Sequence, residues 1–264
     1  MRAGDDMIIG SATSKEISGY AGDDTIHGGA GNDTLVGGTG KDNFIGGSGQ
    51  DLVSFVGGTH EAVADMSLTT RGILDDGFGN VETMKTVEGL FGTVFGDSLT
   101  GNTQANLLLG DFGNDSLSGG AGNDTLDGGS SNDVLFGGSG ADVLLGRAGL
   151  DTITGGADAD IFVFADVTPI LGADTITDMT HGVDKIKLNG AWSLQLSGTT
   201  LTADQFLAGA GADHAVKTQQ VIIYDTATGD LYFDRDGSAT VGAPVLIATL
   251  SNLPNLSFQD FLIL

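Results

Sequence analysis

An aspartate returns every nine residues over much of this chain. It stands at Asp24, Asp33, Asp42 and Asp51, and again at Asp115, Asp124, Asp133, Asp142, Asp151 and Asp160. Glycines and other small residues surround each one, as in "GGAGNDTLVGGTGKDNFIGGSGQDLVS" from Gly28 to Ser54. Such a loop has few side chains to offer, but glycine reaches positive φ and lets the backbone curl its carbonyls inward. One carboxylate among carbonyls is an oxygen-only donor set, which suits a hard cation. Ca2+ takes six to eight oxygens at about 2.3–2.6 Å, whereas Mg2+ demands octahedral geometry and keeps its waters. Solvated Gly-Asn-Asp turns would explain the composition, but not a carboxylate held in a fixed register.

The register defines the elements that must position these carboxylates. With Gly28 as position 1 of nine, units start at Met1, Gly10, Gly19, Gly28, Gly37 and Gly46. A second series starts at Gly92, Gly101, Gly110, Gly119, Gly128, Gly137, Gly146 and Gly155. Position 6 also takes in Asp6 and Asp97, and is broken only by Lys15 and Asn106. Position 8 is always apolar: Ile8, Ile17, Ile26, Leu35, Phe44 and Val53, then Leu99, Leu108, Leu117, Leu126, Leu135, Leu144, Ile153 and Phe162. Positions 7–9 read as a short strand, with position 8 facing a core and its neighbours facing solvent. Positions 1–6 read as a loop. Two units then make one turn of a flattened coil, with turns about 4.8 Å apart. Each turn buries only two core side chains, too few to offset the ordering of so much glycine. Ions between stacked loops would supply the rest, each joining unit n to unit n+2.

This stacking pairs Asp6 with Asp24, Asp24 with Asp42, and Asp33 with Asp51. In the second array it pairs Asp97 with Asp115, Asp115 with Asp133, Asp124 with Asp142, Asp133 with Asp151, and Asp142 with Asp160. Lys15 is expected to face Asp33 and to put an ammonium in place of the ion. Asn106 makes a weaker partner for Asp124, and Ser130-Ser131 and Asp158 also depart from the pattern.

Composition narrows the function. The 264 residues carry a net charge of −25, which argues against nucleic acid and points to cations. Cysteine is absent, so disulfides, thiolate metal sites and cysteine nucleophiles are excluded. No apolar run has the length of a membrane span, and "MRAGDDMIIG" lacks the features of a cleaved signal peptide. The first unit begins at Met1 itself, as expected for the end of a longer protein or for an array with no domain before it. No catalytic constellation is found. "HEAVAD" starts like a zinc-protease motif, but Ala64 stands where the second histidine is needed. His27, His181 and His214 are scattered and read as surface residues. "DRDG" at Asp234 reads as a tight turn, since Tyr232 occupies the first ligand place of an EF-hand loop.

Four segments are expected: a first array over 1–54, a non-repeat β connector over 55–91, a second array over 92–163, and a β-rich C-terminal cap over 164–264. In the connector, "VADMSL" and "VETMKTVEGLFG" read as strands. In the cap, "ADIFVFADV", "DTITDMTHGVDKIKL", "QVIIYD", "GDLYFDRDG" and "APVLIATL" do too. "IIYDTATGDLYF" reads as a hairpin turning near Thr228-Gly229, and "TADQFLAG" as a short helix capped by Thr202.

"GGAGNDTLV", "GGAGNDTLD" and "GGSGADVLL" resemble the nonapeptide G-G-x-G-x-D-x-U-x of the RTX (repeats-in-toxin) family. The resemblance implies an all-β fold, a parallel β-roll in two arrays followed by a β-rich cap. It implies several Ca2+ ions held by Asp6, Asp24, Asp33, Asp42, Asp51, Asp97, Asp115, Asp124, Asp133, Asp142, Asp151 and Asp160. Loop carbonyls would complete each cage, such as those of Gly28, Gly29, Ala30 and Gly31, of Gly119, Gly120, Ala121 and Gly122, and of Gly137, Gly138, Ser139 and Gly140. The C-terminal part resembles the segment after the β-roll of serralysin-type proteases. The tail, with Asp260 before Phe261, Leu262, Ile263 and Leu264, resembles an uncleaved type I secretion signal. The implied protein is a secreted bacterial module, exported unfolded and folded by Ca2+ outside, with any catalytic domain upstream of Met1. A freestanding cell-surface, surface-layer or adhesion protein, bridging through Ca2+ to polysaccharide or like chains, is the alternative. An ice-binding roll is disfavoured because position 5 is irregular.

Overall fold

The computed structural model describes residues 3–68, 72–164, 173–189, 201–216, 220–234 and 243–263. Leu264 and residues 235–237 of the expected turn at Asp234 lie outside them. The repeats wind into a parallel β-roll. Strands stack at a spacing of two units, so Thr25 pairs with Asn43, Thr125 with Val143, and Val134 with Thr152.

The strands are longer than the sequence reading gives. They run through six residues, as in Thr25–Ala30, Thr34–Thr39 and Thr125–Ser130. They therefore cover positions 7–9 of one unit and 1–3 of the next, and the turn shrinks to positions 4–6. Strand alternation explains the burial: Asp24, Ile26 and Gly28 all point inward, as every second residue must. The position-8 side chains from Ile26 to Phe162 are buried, each at 2% exposure or less. They form one continuous core with the cap.

Among the described residues, one face of the roll is a ten-stranded sheet, all of its pairings parallel, from Glu16–Ala21 to Phe261–Ile263. It crosses the connector through the strand Gly89–Phe91, which pairs with Leu52–Ser54 on one side and Leu107–Phe112 on the other. The opposite face is interrupted. A four-stranded sheet ends at Thr83–Lys85, and an eleven-stranded sheet takes over with Ala62–Asp65 and Ile73–Asp76.

In the cap, Asp174–Ile176 and Lys185–Leu188 extend the two faces. Ile222–Asp225 and Asp230–Phe233 form the expected antiparallel hairpin, with Gly229 at φ 83°. The segment after Thr202 makes only one 3-10 turn, Ala203–Gln205, before the strand Phe206–Gly209. Thr202 and Gln205 do form a capping box there.

Candidate metal centre

Each position-6 aspartate sits just before its strand, where alternation turns the side chain inward beneath the position-1 glycine. Its Oδ1 accepts a hydrogen bond from the backbone N–H of the position-6 residue one turn earlier. Asp6 N–H donates to Asp24, Asp24 to Asp42, Asp33 to Asp51, Asp115 to Asp133, Asp124 to Asp142, and Asp142 to Asp160, all at 2.7–2.9 Å. Asp97 to Asp115, Asn106 to Asp124, and Asp133 to Asp151 follow the same rule at 2.7–2.8 Å. The structure thus brings the sequence-predicted neighbours together, two units of nine residues and so one turn apart.

The second carboxylate oxygen has no such partner. Oδ2 of Asp24, Asp33, Asp42, Asp51, Asp115, Asp124, Asp133, Asp142, Asp151 and Asp160 is buried without a hydrogen bond. A buried acceptor left unpaired costs about 1–3 kcal/mol, and more when charged. These oxygens face the close approach at position 1. A Cβ on Gly28 would stand 2.5 Å from the Gly46 carbonyl oxygen and 2.8 Å from Asp33 Oδ2. Glycine is required here for space, because position 1 does not take positive φ. Carbonyl and carboxylate oxygens, none of them donors, converge on that cradle. Among the described residues, no three His, Asp or Glu side chains converge to hold a metal. Any cage must therefore draw on the backbone, and the donor set fits Ca2+.

The electrostatics agree. Burial, with the charges of Asp151 and Asp115 added, pushes Asp133 up to about 8. Burial likewise raises Asp115 and Asp160 to about 7, and Asp42 and Asp124 to about 6. Hydrogen bonds from the turn before pull in the other direction but do not prevail. The stack is built so that its carboxylates need a counter-charge.

Several predicted ligands differ from this pattern. Asp6 is only half-buried. Asp97 is fully partnered, by Ala62 N–H and the Thr93 hydroxyl at Oδ1 and by Thr93 N–H at Oδ2. Lys15 does not put its ammonium on Asp33, as the spacing suggested. Its backbone N–H donates to Asp33 Oδ1 at 3.1 Å, while Nζ turns away to the Ser11 hydroxyl. Of the loop carbonyls, those of Gly29, Gly31, Gly120 and Gly122 abut the glycines of the next turn, Gly47, Gly49, Gly138 and Gly140. The Ser139 carbonyl instead accepts Gly122 N–H at 2.8 Å. Ser131 and Asp158 keep the left-handed backbone of the glycines they replace, at φ 86° and 79°.

Four acids in the same structural place escape a glycine-based reading. Glu82 and Glu88 accept the N–H of Asp42 and Asp51 at 3.3 and 2.9 Å. Asp174 and Asp184 accept those of Asp151 and Asp160 at 3.1 and 3.0 Å. Each precedes an inward apolar residue by two positions, Met84, Leu90, Ile176 and Ile186, which is the signal that could have found them. Position 5 also has a role the sequence reading missed. Asn32, Asn114, Asn123 and Asn132 accept N–H bonds from Gln50, Asn132, Ala141 and Leu150 of the following turn.

Residues 18–53, 91–126 and 127–162 match the family described as RTX calcium-binding nonapeptide repeat (4 copies). Among solved structures, the chain is similar to the AlgE6R3 subunit of the Azotobacter vinelandii mannuronan C5-epimerase. The identity is 24% and the TM-score 0.34, over 63% of this chain and 77% of that one. It is also similar to the extracellular lipase LipA from Serratia marcescens, at 16% identity and TM-score 0.26, over 100% of this chain and 40% of the lipase. No curated protein matches the chain. The matched segments are RTX calcium-binding nonapeptide repeats, and the parallel β-roll they wind into supports a Ca2+-binding module.

Proposed function

We propose that this module drives calcium-dependent folding of a secreted bacterial protein after type I export, as the C-terminal part of a larger chain. The position-6 aspartates are its ligands, completed by loop carbonyls. The observation that carries the reading is the stack of ten buried, unpartnered Oδ2 atoms. Without a counter-charge, closing the roll buries like charges beside one another, and a chain of net charge −25 repels itself. Where free Ca2+ is scarce the loops stay open and the chain can thread an exporter. Extracellular Ca2+ modules bind at about 10⁻⁴–10⁻³ M, and metal affinity then acts as folding free energy. RTX repeat proteins are typically secreted, and a chain without cysteine passes an exporter without disulfide chemistry.

The tail supports the order of events. Asp260, Phe261 and Ile263 are buried, the last two in the tenth strand of the long face. A secretion signal in this segment is accessible only before folding. The test is far-UV circular dichroism during a Ca2+ titration of the chelator-treated chain. A cooperative gain of β signal and a raised melting temperature are expected. A full β signal without Ca2+, unchanged by its addition, would overturn the reading.

A further inference from the structure

Residues 55–90 of the connector lie outside the matched repeats, yet they close the first array in a way that copies a repeat turn. In a regular turn, Asp33 Oδ2 and the Gly46 carbonyl converge on Gly28. At the end of the array, Asp51 Oδ2 and the Thr86 carbonyl converge on Gly46, where a Cβ would stand 2.5 Å from the carboxylate oxygen. Thr86 reaches this place with a left-handed backbone, φ 48°, that threonine adopts only under constraint. Its hydroxyl accepts Gly47 N–H at 2.9 Å. Glu88 stands in the position-6 place, and Oε2 accepts Asp51 N–H at 2.9 Å. Asp51 itself is 1% exposed, and its Oδ2 has no partner.

The copy is abbreviated. Gly46 and Asp51 are five residues apart, whereas Thr86 and Glu88 are two apart. A cavity of about 160 Å3 opens beside the shortened turn, lined by Gln50, Asp51, Glu88, Asn106, Asn123 and Thr125. At roughly 30 Å3 per water it has room for several waters. Water can therefore supply the oxygens that missing loop carbonyls would have given. The place matters because Gly89–Phe91 is, among the described residues, the one strand that pairs with both arrays.

We propose that this seam is a further, solvated Ca2+ site, held by the carboxylates of Asp51 and Glu88 and the carbonyl of Thr86, which locks the two arrays into one cooperative unit. The site rests on the coupling of ion binding to folding argued above, and adds ligands that no nonapeptide supplies.

The test uses the full chain and two variants. E88Q keeps an oxygen for Asp51 N–H and loses the charge. E88K places an ammonium where the ion would sit. Bound Ca2+ per chain is measured by equilibrium dialysis, and folding by circular dichroism over a Ca2+ titration. E88Q is expected to bind one Ca2+ fewer, and its folding transition to split in two or move at least about three-fold to higher Ca2+. E88K is expected to bind one fewer as well, yet to keep a single transition. The proposal is overturned if E88Q matches the wild type in count and midpoint. It is overturned equally if neither variant reaches the wild-type spectrum at saturating Ca2+, since Glu88 would then serve structure alone. A wild-type chain that does not respond to Ca2+ would sink the folding reading instead.

Discussion

Asp133 in the roll and Asp260 in the cap are both buried, at 1% and 0% exposure, and their surroundings treat them in opposite ways. Asp133 gives Oδ1 to one N–H, keeps Oδ2 unpartnered, and faces Asp151 and Asp115 along its column. Asp260 is saturated. It accepts from His181 Nδ1 at 2.7 Å, Gly182 N–H at 3.0 Å and Ser257 N–H at 2.7 Å, with Lys185 Nζ 3.9 Å away. Burial raises both carboxyls. At Asp133 it prevails; at Asp260 the hydrogen bonds from Ser257, Gly182 and His181 outweigh it and hold the group below its ordinary value. At Asp260 the cap has its partners built in, whereas the roll leaves its counter-charges to be supplied from solution.

The sharpest way to break this contrast is pH in the absence of Ca2+. Asp133 near 8 and Asp115 and Asp160 near 7 lie well above the usual unfolded value of about 3.9. Between those limits the folded roll binds more protons than the unfolded chain, so its stability rises as pH falls. That gain is lost as pH climbs through about 8 and is complete below about 4. The chelated chain is therefore expected to recover β signal when taken from pH 8.5 to pH 4.5. Asp260 contributes with the opposite sign, because its carboxyl is held low and its clamp weakens only in stronger acid. An ion-free spectrum that is flat over this range, or that loses β signal in acid, would show that the unpartnered carboxylates do not oppose folding.

Smaller effects should separate inward from outward aspartates within one array. Asp133→Ala removes the acceptor of Asp115 N–H and a carboxylate of the stack. A lost hydrogen bond to a charged group is worth about 1.5–3 kcal/mol, so the Ca2+ midpoint should rise by about ten-fold or more. Asp127 lies on the outer face and forms a two-point ion pair with Arg147, which is 43% exposed. Exposed pairs contribute about 0–1 kcal/mol, so Asp127→Ala should leave the midpoint within about three-fold. Equal shifts for the two variants would remove the distinction between the faces of the strand.

The register of the roll was legible because one rule acts at every ninth residue. Position 8 must fill the core, position 6 must point inward two residues earlier, and position 1 must leave room for a carbonyl. What escaped was whatever obeys the rule without its glycines. Glu88-Gly-Leu90 and Asp184-Lys-Ile186 hold the acid and the apolar residue at the right spacing, but no glycine pair announces them. Strand length escaped for a related reason: glycines at positions 1 and 2 read as loop, yet they pair within the sheet, those at position 2 with positive φ, as at Gly29 (φ 111°). Lys15 was misplaced because spacing fixes where a backbone lies, while a long side chain chooses its own partner, here Ser11. His181, expected at the surface, is 44% exposed and still bonds to Asp260, a contact 79 residues away in sequence that no local pattern encodes.

The cap supplies the smallest and most selective test. Asp260→Asn keeps the side-chain volume and removes the charge that His181, Gly182 and Ser257 serve. Hydrogen bonds to a charged group are worth about 1.5–3 kcal/mol, and those to a neutral one about half as much. The expected loss is therefore about 1–2 kcal/mol in urea unfolding of the Ca2+-loaded chain. Because Asp260 touches no loop of the arrays, the number of Ca2+ ions bound should not change. The strand Phe261–Ile263 pairs with Lys185–Leu188, so the loss should appear as earlier opening of the tail, read as faster amide exchange there. If Asp260→Asn instead lowers Ca2+ binding as Asp133→Ala does, the cap and the roll share one electrostatic system, and the division between partnered and unpartnered carboxylates does not hold.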